Sequence, residues 1–113
     1  MSYPINPYYN PKGLGVELLS FDRPDLSYEY DTFCLWKRDG RIWTAKDSGC
    51  SCPVPFEDHC GMDWDAVALT LIEMDSPERA VTFFDEWNKG YDGRKFLTGD
   101  EREKILEWCK TNE

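Results

Sequence analysis

Between Tyr28 and Ala45, strand-forming residues flank a single Asp39-Gly40 dipeptide, and the chain reads most clearly there. Tyr28 to Trp36 is rich in aromatic and β-branched residues. An Asp-Gly pair between two such runs signals a two-residue type I′ hairpin. A turn of that length pairs Arg38 with Arg41, Lys37 with Ile42 and Trp36 with Trp43. The period of two then puts Cys34, Trp36, Trp43 and Ala45 on one face with Tyr28 and Tyr30, and Phe33, Leu35 and Ile42 on the other. Apolar groups on both faces predict a hairpin buried on two sides.

The flanking segments read less uniformly. Tyr3 to Gly15 holds three prolines and three tyrosines, which predicts an extended arm packed by its aromatics. Val16 to Phe21 is a short apolar run followed by Asp22-Arg23-Pro24-Asp25, a strand ended by a turn. Beyond the hairpin, residues 47–62 read as a Cys/Pro loop in which Phe56 is an apolar plug. Asp63 can cap a helix running to Met74, with Trp64, Val67, Ala68, Leu71 and Ile72 at helical spacing. The alternation of Val67, Leu69 and Leu71 equally permits a strand, so 66–74 stays open between the two.

Ser76-Pro77-Glu78 predicts a helix start, with Ala80, Phe83, Phe84 and Trp87 as its apolar stripe and Gly90 to Gly93 as its end. Thr98 to Glu101 fits a capping box ahead of a last helix that presents Ile105, Trp108 and Cys109 on one side. The predicted fold class is α+β, a small antiparallel sheet of three strands with a Trp-containing hairpin, packed by two or three C-terminal helices. At 113 residues the chain fits one domain: arm and strands over 1–46, loop over 47–62, mainly helix over 63–113.

Charge sharpens this picture. From Asp47 to Trp87 there are ten acids and one base, Arg79, which accounts for the whole net charge of −9 because the remainder is balanced. Such a stretch repels nucleic acid and membrane surfaces and favours a basic partner, or a protein whose own ligand is a polyanion. Asp58, Asp63, Asp65, Glu73, Asp75, Glu78, Asp85 and Glu86 are its predicted contact residues. No apolar run approaches the ~20 residues of a membrane span, and the N-terminus has neither a basic start nor an apolar h-region, so a soluble cytoplasmic protein is expected.

The candidate chemistry is sparse. Cys50, Cys52, His59 and Cys60 are ligand types suited to zinc, although Cys-x-Cys and adjacent His-Cys depart from common zinc spacings. The five cysteines, an odd count with three crowded together, read first as free thiols, and a zinc-stabilised module is the alternative. A Cys50–Cys52 disulfide would close a strained ring. Carboxylate pairs such as Asp63 with Asp65, or Asp85 with Glu86, offer acid–base or Mg²⁺ chemistry for a small metal-dependent hydrolase. They lack an accompanying phosphate loop, since Gly13-Leu14-Gly15 is not a nucleotide fingerprint. No catalytic residue is predicted and the chain reads as non-enzymatic.

The segment Asp47-Ser48-Gly49-Cys50-Ser51-Cys52-Pro53-Val54-Pro55-Phe56-Glu57-Asp58 resembles a family of small proteins without assigned activity encoded by bacteriophages of actinobacteria. There a Tyr-Tyr-Asn-Pro-like opening, a Trp-containing hairpin and an Asp-Ser-Gly-Cys-x-Cys-Pro-x-Pro-Phe-Glu segment follow in the order seen from Tyr8 to Asp58. The resemblance implies a phage origin, the cytoplasm of an infected host, and an accessory factor that binds and inhibits a host protein. It implies no catalytic residues.

Overall fold

The structure is a computed structural model that describes residues 6–23, 29–50, 56, 61–89 and 95–110. Among these residues four strands, β1 (Glu17–Asp22), β2 (Glu29–Arg38), β3 (Arg41–Cys50) and β4 (Ile72–Met74), form one antiparallel sheet in the order β1-β2-β3-β4. Among the described residues three α-helices accompany it: α1 (Trp64–Ala68), α2 (Pro77–Asn88) and α3 (Glu101–Lys110). The α+β class expected from the sequence holds, with one strand more than expected.

The Asp39-Gly40 turn sets the register. Both residues take positive φ, 54° and 78°, as a type I′ turn requires. The ladder then pairs Arg38 with Arg41, Lys37 with Ile42 and Trp36 with Trp43, as the alternation predicts. It also runs on to Glu29 opposite Cys50, so Asp47 to Cys50 is strand, not the start of the loop. The backbone hydrogen bonds offered by Glu29 to Thr32 of β2 outweigh the poor strand propensity of Asp47, Ser48 and Gly49.

The segment 66–74 contains both of its alternatives in succession. Helix α1 stops at Ala68, and Ile72–Met74 pairs with Ile42–Thr44 along the outer edge of β3. Pairing Met74 with Ile42 buries its side chain in the core, which a helix continued to Met74 would forgo. The 63–113 portion therefore carries an edge strand among its helices.

Each face of the sheet has its own cover, and alternation sorts side chains between them. Phe33, Leu35, Ile42 and Met74 pack against Ala80, Phe84 and Trp87 of α2 and Ile105 of α3. On the opposite face Val16, Cys34, Trp36 and Trp43 pack against Phe56 and against Trp64 and Val67 of α1. Aromatic rings join the layers, with centroids 5.6 Å apart for Phe33 and Phe84, and 5.2 Å for Trp36 and Phe56. Burying an aromatic side chain of this kind contributes about 2–3 kcal/mol.

The N-terminal arm is less extended than its prolines suggest. Pro11–Leu14 forms one 3₁₀ turn, with Pro11 at its first position and Gly15 closing it at φ 73°. Tyr9 is exposed, so the packing comes mainly from Tyr8, Leu14 and Val16. Asn6 organises the arm: its Oδ1 accepts from the N–H groups of Tyr8 and Tyr9 at 2.6 and 3.0 Å, and its Nδ2 donates to the Phe56 carbonyl at 3.1 Å. Trp36 Nε1 donates to the Pro7 carbonyl at 2.9 Å, tying the arm to the sheet.

The helix starts follow local chemistry in part. Ser76 Oγ accepts from the Arg79 N–H at 3.2 Å and Pro77 occupies the first turn of α2. That helix ends at Asn88, whose side chain accepts from Leu97 N–H and donates to Leu97 C=O, both at 2.8 Å. The Gly90 to Gly93 segment lies outside the described residues. Helix α3 begins at Glu101, so Thr98 stands before the helix and does not cap it.

Candidate functional site

The acidic residues divide between the two layers. Asp63 and Asp65 belong to the α1 layer, where Asp63 Oδ1 caps the helix by accepting from Ala66 N–H at 2.9 Å. Glu73, opposite Trp43 in the ladder, points to that same face. Glu78, Asp85 and Glu86 lie on α2, against the other face, and Asp75 sits in the bend between β4 and α2. Asp58 lies outside the described residues.

Two of these carboxylates are engaged by arginines from outside the acidic stretch. Arg41 grips Glu73 with Nε at 2.9 Å and Nη2 at 2.6 Å. That hydrogen-bonded contact holds the Glu73 carboxyl below its ordinary pKa and raises that of Arg41. Arg102 of α3 donates to Asp85 at 2.7 Å. Asp65, Asp75, Glu78 and Glu86 are exposed and form no ion pair among the described residues.

Among the described residues, surface grooves adjoin these acids in two places. One, of about 630 Å³, lies between the hairpin tip, α1 and β4, and includes Arg38, Trp43, Trp64, Asp65, Leu69 and Glu73 in its lining. The other, of about 420 Å³, lies between the sheet and the end of α2, with Arg23, Lys46, Lys89, Glu86, Trp87 and Phe96 among its walls. In the second groove Asp31 accepts from Trp87 Nε1 at 2.8 Å and Asp47 from Phe56 N–H at 2.7 Å, so both carboxylates hold the fold.

The zinc candidates Cys52, His59 and Cys60 lie outside the described residues, as does the side chain of Cys50. Among the described residues no three Cys, His, Asp or Glu side chains converge as metal ligands. The described thiols, Cys34 and Cys109, are free. Burial raises the pKa of both, which keeps them protonated and weakly nucleophilic.

Lys37 is the residue that sequence reasoning passed over. Only 2% exposed, it lies 3.3 Å from Glu17, donates to the Trp108 carbonyl at 2.7 Å and sits 4.5 Å from the centre of the Trp108 ring. Its charge thus meets the C-terminal turn of α3, where the helix dipole favours a cation. The signal was present in the alternation, which places position 37 on the face of Phe33 and Leu35.

Fold and surface together define a small α+β domain, a four-stranded sheet covered on both faces with charged grooves at its periphery. The chain belongs to a family described as a domain of unknown function, DUF7574, whose model matches residues 5–95. The match takes in the sheet, α1 and α2 and leaves α3 beyond it. Neither a curated protein nor a solved structure matches the chain. No helix among the described residues is long and apolar enough to cross a membrane.

Proposed function

We propose that this protein is a phage-encoded accessory factor that acts in the cytoplasm of an actinobacterial host, binding and inhibiting a host protein whose basic surface ordinarily meets nucleic acid. The observation that carries the reading is the set of exposed carboxylates, Asp65, Asp75, Glu78 and Glu86, that form no ion pair among the described residues, where Arg41 and Arg102 do engage Glu73 and Asp85. Unspent negative charge on both layers supplies a long-range field that draws a basic partner and repels nucleic acid itself. The phage origin rests on the resemblance carried by the segment from Asp47 to Asp58, and the function is non-enzymatic.

Affinity capture from actinobacterial lysate at low and high salt tests this. Electrostatic recognition is screened over about 10 Å at 0.1 M salt, so the partner is expected at low salt and lost at high salt. The Asp65→Lys, Glu78→Lys double variant is expected to lose it at both. Retention that ignores salt and charge reversal would refute the reading.

A further inference from the structure

Of the five tryptophans, four line the two faces of the sheet and differ in what their indole N–H groups meet. The indole N–H of Trp36 meets the Pro7 carbonyl and that of Trp87 meets Asp31. Trp43 and Trp64 are only 5% and 6% exposed, yet neither indole N–H has an acceptor among the described residues. A buried indole N–H ordinarily finds a partner, and one left without an acceptor marks a place where something else supplies it. Both rings, packed edge to face at 5.1 Å, border the groove of about 630 Å³ between the hairpin tip, α1 and β4.

The rest of that groove defines what fits. Leu69, 88% exposed, and Leu71 give it an apolar wall. Its arginines are already engaged: Arg41 holds Glu73 and stacks 5.1 Å from the Trp43 ring centre, and Arg38 lies 3.8 Å from Asp39. Asp65 is the lining carboxylate without an ion pair among the described residues. A small anion would meet occupied arginines beside that free carboxylate. A chain with an apolar side chain, a backbone acceptor and a cation would meet complementary groups.

We infer that this groove is the docking site for an extended segment of the partner protein in which a lysine or arginine stands beside an apolar residue. The apolar side chain packs on Trp64 and Leu69, backbone carbonyls accept from the indole N–H groups of Trp43 and Trp64, and the cation meets Asp65. This rests on the proposed host-protein reading and narrows it to one site.

The test follows the indole ¹H–¹⁵N resonances of the ¹⁵N-labelled full chain during titration with the blocked peptide glycyl-leucyl-lysyl-leucyl-glycine, and with its glutamyl counterpart. Saturable shifts of the Trp43 and Trp64 signals by the lysyl peptide alone are expected, with those of Trp36 and Trp87 unmoved. Asp65→Asn and Leu69→Asp, both at exposed positions, should each weaken binding at least fivefold while leaving the Trp36 signal in place. No saturable shift, an equal response to the glutamyl peptide, or equal movement of the Trp36, Trp43, Trp64 and Trp87 signals would overturn the inference. A host partner captured by a chain that ignores the lysyl peptide would sink the groove alone. A chain that binds the peptide but captures no host protein would sink the host-protein reading and leave the groove standing.

Discussion

At the scale of single residues, burial decides chemistry that residue type leaves open. Cys34 is fully enclosed between the sheet and its arm-side cover, and burial raises its thiol pKa far above the ordinary 9.0. Tyr8 is pushed up to about 12, first by burial and then by the nearby Asp22 carboxylate. The folded chain keeps these protons where the unfolded chain releases them, so stability is intact below about pH 9 and declines as pH rises beyond it. Cys34 alone contributes a slope of at most about 1.4 kcal/mol per pH unit. Chemical denaturation from pH 8 to 11 should show the decline, and Cys34→Ala should flatten it. An unchanged slope in that variant would mean that Cys34 does not titrate differently in the two states.

At the scale of elements, the hairpin turn and the helix starts show how far local chemistry reaches. Gly40 adopts φ 78°, and an added Cβ there would meet nothing within 4 Å. Gly40→Ala therefore isolates the backbone cost, about 1 kcal/mol, which thermal unfolding should report as a lower Tm with the fold unchanged. Loss of folding would mean that the turn contributes more than its conformation. The Asp39-Gly40 register and the Ser76 cap were legible because each depends on residues adjacent in sequence. The end of β3 at Cys50 and the split of 66–74 into α1 and β4 were not, because each depends on which strand lies alongside. The position of α3 likewise depends on Lys37, Asp85 and Ile105, which no local pattern links.

At the scale of the whole molecule, the described acids of the excess divide between the two layers that cover the sheet. The net charge of −9 makes the folded state repel itself, while exposed pairs such as Arg41–Glu73 contribute little. Added sodium chloride is therefore expected to raise Tm by a few degrees up to about 0.2 M, within the range where screening acts on surface charge. A Tm that falls instead would show that ion pairs outweigh repulsion. The candidate site was legible only as a list of acids. The sequence does not say that Arg41 and Arg102 engage two of them, or that Trp43 and Trp64 meet beside Asp65.

The α+β class, the hairpin register, the two faces of the hairpin and the concentration of charge between Asp47 and Trp87 were all readable from residue order alone. These follow from side-chain alternation, turn stereochemistry and composition, which act over a few residues. Tertiary packing was needed to bring Ile72–Met74 into the sheet, to bury Lys37 under α3, and to form a groove with Trp43 and Trp64 in its lining. Each of these brings together residues far apart in the chain. Packing chooses such neighbours by fitting whole surfaces to one another, and a linear pattern does not carry that information.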